Sequence, residues 1–115
     1  MQKRVTPFKN DPFSFVWKAF EELYPEKQCE VLWHPDIQSD NPEEPAYGFT
    51  EFCDDGVILV FVSSKLSVED AAEILAHELA HVAVGAEQSH NDEWENAFEA
   101  IHKKYEEIVL LELGK

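Results

Sequence analysis

The chain has 115 residues, with 24 acidic against 9 basic side chains and a net charge of −15. This length suits one domain with a single core, residues 1–115, and so negative a field argues against nucleic acid as a partner. No stretch is long enough to span a membrane, and the N-terminus lacks the apolar segment of a secretory signal, so we expect a cytoplasmic protein. Cys29 and Cys53 are then expected to be free, buried thiols.

The N-terminal part of the sequence predicts a helix followed by a short strand. Asp11 and Pro12 form a helix start, with the acid as cap and the proline in the first turn. Apolar residues at helical spacing continue this helix to about Tyr24. Glu30–Trp33 is typical of a strand, and the proline-rich, acidic segment His34–Pro45 is typical of a loop.

A hairpin is predicted after this loop. Polar and apolar residues alternate over Tyr47–Phe52, which predicts a strand with one exposed face. Asp55 and Gly56 form a strong hairpin-turn signal. The continuous apolar run Val57–Val62 predicts a strand that is buried on both faces. We expect this second strand in the centre of a sheet and the alternating strand at its edge.

Two helices are predicted in the C-terminal half. The first begins with the capping box from Ser67 to Asp70 and ends at Gly85, and the second begins at Asn91 or Ser89. Its apolar stripe, spaced by four and three, is Trp94, Phe98, Ile101, Tyr105 and Ile108. The order of elements predicts an α+β domain in which a small, mostly antiparallel sheet of about three strands packs against helices.

The first of these two helices carries the run HELAH over residues 77–81. Residues four apart lie on one face of a helix, so the imidazoles of His77 and His81 can bind one metal ion. Glu78 lies beside the open side of that ion, where it can take a proton from a bound water. This is the H-E-x-x-H pattern of zinc metalloproteases, and it makes Zn²⁺ the expected cofactor.

A catalytic zinc usually has three protein ligands, so a third ligand is needed. His90 ranks first because it precedes the first turn of the last helix. That is a rigid position, and it follows closely after the helix that carries HELAH. Glu99 ranks second, because in thermolysin-like zinc sites the third ligand is a Glu on the next helix. Glu87 ranks third. The other histidines, His34 and His102, are expected at the surface.

The segment HELAHVAVGAEQSHNDEW, residues 77–94, resembles the core of the SprT-like zinc metallopeptidases. Members carry HExxH, a short loop often containing Gly, a third His and an aromatic residue four positions later, a place that tryptophan fills here. Many members have Gly after the third His, where this chain has Asn. Members usually also carry a C-terminal zinc ribbon with a CxxC motif, and this sequence contains no CxxC. The resemblance implies a minimal zincin-like domain in which His77, His81 and His90 bind zinc and Glu78 is the general base.

These features predict a zinc-dependent metallopeptidase acting on a protein or peptide, and the acidity of the chain favours a basic substrate. The loop 34–45, with Glu43 and Glu44, is expected to select such substrates at the edge of the sheet. Tyr47 and His34 are candidates for stabilising the oxyanion. The alternative is an acidic protein-binding module, an adaptor or inhibitor whose zinc is non-catalytic or absent.

Overall fold

The structure is a computed structural model that describes residues 11–35, 37, 47–85 and 91–113. Within these residues the chain forms three helices and three strands, which confirms the predicted α+β class. In chain order they are α1 (Pro12–Leu23), β1 (Glu30–His34), β2 (Gly48–Phe52), β3 (Ile58–Ser63), α2 (Val68–Val84) and α3 (Asp92–Leu113). None of these helices is long and apolar enough to span a bilayer.

The strands form one sheet in the order β1-β3-β2, with β3 in the centre and β2 at an edge, as predicted. β2 and β3 are an antiparallel hairpin whose turn contains Gly56 at a φ of 90°. β1 runs parallel to β3, so the sheet is mixed, and the prediction of a mostly antiparallel sheet was wrong. Between β1 and β3 the chain passes through β2, so no tight turn joins β1 to β3 and the two strands can run in the same direction.

Strand β3 is fully buried only on the face that meets α2. Val60 and Val62 point to that face and have no exposed surface. Leu59 and Phe61 alternate to the other face and are partly exposed. There the ring of Phe49 stacks on Phe61, with centroids 4.6 Å apart. The predicted burial on both faces was therefore wrong. The second face is covered only in part, by side chains of the sheet itself.

All three helices begin at the caps that the sequence indicates. The side chains of Asp11, Ser67 and Asn91 each accept a hydrogen bond from a backbone N–H two or three residues later, at 3.0, 3.2 and 3.0 Å. Gly85 ends α2 with a φ of 95°, a conformation that favours glycine. The bounds of α2 are thus set by local interactions.

Helix α2 lies between the sheet and the other two helices. Its apolar residues Leu75, Leu79 and Val82 are buried, together with Phe20 of α1 and Ile101 of α3. Each such side chain stabilises the fold by about 1.5–3 kcal/mol. Contacts on several sides hold α2 in place, and with it the residues of the HELAH run.

The two cysteines are free thiols, as predicted, although each is only partly buried. Cys29 precedes β1 and Cys53 follows β2, which are the two outer strands of the sheet. Two strand spacings come to about 9.6 Å, whereas a disulfide needs Cα atoms within about 6.8 Å. Burial raises the pKa of the Cys29 thiol to about 11, which keeps it protonated and unreactive.

Candidate metal centre

His77 and His81 lie one turn apart on the same side of α2, as their spacing predicts. Their ring centroids are 5.1 Å apart, and the rings meet edge to face. The His77 side chain is 29% exposed and His81 is partly exposed, so the pair is open to solvent on one side. Two neutral imidazoles in this arrangement are a donor set that suits Zn²⁺.

Trp94, from the first turn of α3, packs against both imidazoles. Its ring centroid is 4.7 Å from that of His77 and 5.5 Å from that of His81. Its indole Nε1 donates a hydrogen bond of 3.2 Å to the backbone oxygen of His77. Phe98 stacks on the indole ring at 5.3 Å. This aromatic pair restricts the rotation of the two imidazoles. The sequence signals for it were the apolar stripe of the last helix and the tryptophan of the SprT-like pattern.

Glu78 points away from solvent, into the space between α2 and the sheet, and only 5% of the residue is exposed. Its Oε1 accepts a hydrogen bond of 2.8 Å from the hydroxyl of Thr50 on β2. Its Oε2 lies 3.9 Å from Nε2 of His77. One carboxylate oxygen is therefore tied to the sheet, and the other adjoins a nitrogen of the histidine pair.

The surroundings of Glu78 change its acidity. Burial raises the pKa of its carboxyl group from 4.5 to about 7, and the hydrogen bond from Thr50 opposes part of that rise. Burial disfavours the charged form, whereas a donor to the carboxylate favours it, so the two effects have opposite signs. A carboxyl group with a pKa near neutrality can both accept and release a proton at physiological pH.

The close approach of β2 to α2 depends on Gly48. A Cβ atom at this position would lie 2.7 Å from Cγ2 of Ile74, 2.8 Å from the backbone oxygen of Phe61 and 3.3 Å from Cγ of Glu78. Any larger residue would push the strand away from the helix, and Thr50 with it. Sequence reasoning missed Gly48 and Thr50, although a glycine inside an alternating strand is a signal of close backbone approach.

Two of the candidates for the third ligand, His90 and Glu87, lie outside the described residues. Glu99 is described, and it is exposed on α3. In the described ranges, no three His, Cys, Asp or Glu residues are grouped so as to hold a metal ion.

A groove of about 460 Å³ opens beside His77 and runs along α2 toward the start of that helix. Its other lining residues are Tyr47, Leu66, Asp70, Glu73, Ile74 and Phe98. Tyr47 is therefore near the histidine pair. The second oxyanion candidate, His34, pairs with Ser63 on the far side of the sheet from β2 and does not line this groove. The groove is wide enough for one substrate side chain.

His34 and His102 are both exposed, as predicted for surface histidines. His102 Nδ1 lies 2.9 Å from a carboxylate oxygen of Glu106 on the same helix.

Comparison of the chain with protein-family models, with curated proteins and with solved structures gave no match. Only this chain's own residues and their geometry therefore bear on its function.

Proposed function

We propose that this chain is a zinc-dependent metallopeptidase of SprT-like type, in which His77, His81 and His90 bind the metal and Glu78 is the general base. The observation that supports this most is the position of the Glu78 carboxylate, which is buried and has Oε2 3.9 Å from Nε2 of His77. A purely structural zinc needs no carboxylate at this place, whereas hydrolysis needs a proton acceptor beside the metal ligands.

The chain's own residues supply the proton transfers of this reaction. Bound zinc supplies Lewis-acid activation of water and of the scissile carbonyl group. Glu78 accepts the proton of the attacking water at Oε2 and later gives it to the leaving amine. Trp94 keeps the imidazoles of His77 and His81 in place from the side of α3. Tyr47, which lines the groove with His77, is the candidate donor to the oxyanion.

The edge strand β2 is the proposed site for the substrate backbone. Within the described residues β2 pairs with β3 alone, so its outer side can accept an extended peptide as a further strand. Main-chain hydrogen bonds of this kind bind a peptide with little demand on its sequence. Because Tyr47 directly precedes β2, a peptide there would pass the mouth of the groove beside His77.

The groove supports the proposal of a basic substrate. Its walls are largely apolar, while Glu73 and Asp70 lie one and two turns from His77, toward the start of α2. Neither carboxylate forms an ion pair with another residue of the described part. A lysine or arginine side chain has an apolar stem and a charged tip, which matches this arrangement.

We expect peptides with lysine beside the scissile bond to be cleaved about fivefold faster, by kcat/KM, than peptides with norleucine there, as one exposed ion pair allows. Norleucine keeps the stem of lysine and removes its charge. Asp70→Asn together with Glu73→Gln should abolish the preference, and Glu43→Gln with Glu44→Gln tests the acidic loop separately. Equal rates for the two peptides in every variant would show that the site does not select basic residues.

Metal content is the direct test of the proposed site. We expect elemental analysis of the purified protein to find about one zinc per chain, and His90→Ala to lose it or bind it at least tenfold more weakly. His102→Ala is the matched control, because this exposed histidine lies outside the site. If no zinc binds even when it is supplied, the peptidase proposal is wrong. The acidic binding module, which would use the charge and the free edge of β2, is then the better account.

A further inference from the structure

Thr50 is on the edge strand β2, and its side chain points toward α2. Its hydroxyl donates to Oε1 of the buried Glu78 carboxylate at 2.8 Å. We propose that Thr50 is a positioning residue for Glu78, which holds Oε1 so that Oε2 is the oxygen that moves the proton. This inference rests on the proposed function and adds to it a residue on the strand.

The two carboxylate oxygens of Glu78 have different surroundings. Oε1 is bonded to Thr50, while Oε2 lies 3.9 Å from Nε2 of His77. The last torsion of a glutamate side chain has a broad, roughly two-fold profile, so an unanchored carboxylate turns easily. A hydrogen bond to an ionised carboxylate is about twice as strong as a neutral one. This bond therefore holds Oε1 on the side of β2 and leaves Oε2 on the side of His77.

Thr50 is tied to Glu78 through two acceptors. Besides Oε1, the backbone oxygen of Glu78 lies 3.2 Å from the same hydroxyl. A hydroxyl has one hydrogen and donates to one acceptor at a time, and the shorter distance and the charge favour the carboxylate. Both acceptors belong to one residue, so the hydroxyl stays at Glu78 whichever of them it bonds.

The position of the Thr50 hydroxyl is determined by the backbone of β2. Gly48 is two residues earlier, on the same face of the strand, and its missing side chain brings that backbone against α2. Threonine is branched at Cβ and has a restricted first torsion angle, so little freedom remains between the strand and its hydroxyl. The strand therefore offers Glu78 a fixed donor.

A pair of substitutions tests this role in the zinc-loaded protein. Thr50→Val keeps the branched shape and removes the hydroxyl, and we expect it to lower kcat about tenfold or more while KM stays within about twofold. Thr50→Ser keeps the hydroxyl and should return kcat to within about threefold of the original. Ser64→Ala, which removes an exposed hydroxyl just after β3, should change neither constant. A valine variant with altered KM alone, or a serine variant as slow as the valine one, overturns the proposal.

A second measurement on the metal-free protein needs neither zinc nor substrate. In thermal unfolding, we expect Thr50→Val to lower the Tm at least twice as much in the original chain as in a Glu78→Ala background. The original chain loses the bond to the carboxylate, whereas the alanine background can lose only the longer contact with the backbone oxygen of residue 78. Equal losses of Tm in the two backgrounds would show that the side chains of Thr50 and Glu78 do not interact. That result would overturn the proposal even if the protein is a peptidase. Coupled losses of Tm without hydrolysis by any form would instead refute the peptidase function, and the positioning role in catalysis with it.

Discussion

Replacing Glu78 with glutamine is expected to lower kcat for peptide hydrolysis by about 10²–10⁴-fold, the usual contribution of a general base. Glutamine has nearly the same shape and keeps an oxygen that can accept the hydrogen bond from Thr50. It cannot take up a proton at neutral pH. The measurement is the steady-state rate of a zinc-loaded variant, with its zinc content and circular dichroism compared with those of the original protein.

The control for this substitution is Glu69→Gln, which removes an exposed carboxylate from the same helix, eight residues before His77 and outside the groove. It should retain kcat within about threefold, since a solvated carboxylate at that distance has no role in proton transfer. Full activity in the Glu78→Gln protein would refute Glu78 as the base. Loss of both zinc and activity would mean that Glu78 supports the metal site and that its role in proton transfer has to be tested separately.

The metal-free protein is expected to lose stability as the pH rises from 4.5 to 7, because of Glu78. Burial raises the pKa of this carboxyl group from 4.5 to about 7, so between these values the folded state keeps a proton that the unfolded state releases. The stabilisation is present in full below pH 4.5 and is lost as the pH rises through about 7. At about 1.4 kcal/mol per pKa unit, the loss in the free energy of unfolding is about 3 kcal/mol.

Urea unfolding in the presence of a chelator, at pH 4.5, 5.5, 6.5 and 7.5, measures this effect. The other acidic residues also contribute to the pH dependence, so the informative quantity is the difference between the original protein and Glu78→Gln. That difference should grow in favour of the glutamine variant as the pH rises. Glu73→Gln, whose side chain is exposed, should follow the original protein. A constant difference between the original and Glu78→Gln would mean that folding does not raise the pKa of the Glu78 carboxyl group.

The helices and the hairpin turn could be predicted because their signals are local. Asp11, Ser67 and Asn91 cap helices by bonding backbone groups two or three residues away. Gly56 provides a positive φ within a short turn. The same is true of His77 and His81, whose common side of α2 follows from helical periodicity.

Interactions between distant parts of the chain could not be predicted in this way. β1 is joined to its neighbour β3 only through β2, so the direction of β1 is set by how the strands pack, and nothing within Glu30–His34 specifies it. Whether Glu99 reaches the histidine pair depends on how α3 packs against α2, and its exposed position on α3 could not be read from spacing along one helix.

The sequence by itself determined the caps and ends of the helices, the turn between β2 and β3, and the histidine pair with an acid between its members. Only the tertiary structure decided the burial, the pKa and the orientation of that acid, Glu78. Thr50 is 28 residues from Glu78 along the chain and reaches it because Gly48 lets β2 lie against α2. The physical reason is that burial and hydrogen bonding, which set the pKa and orientation of Glu78, depend on surfaces that meet only after the chain has folded.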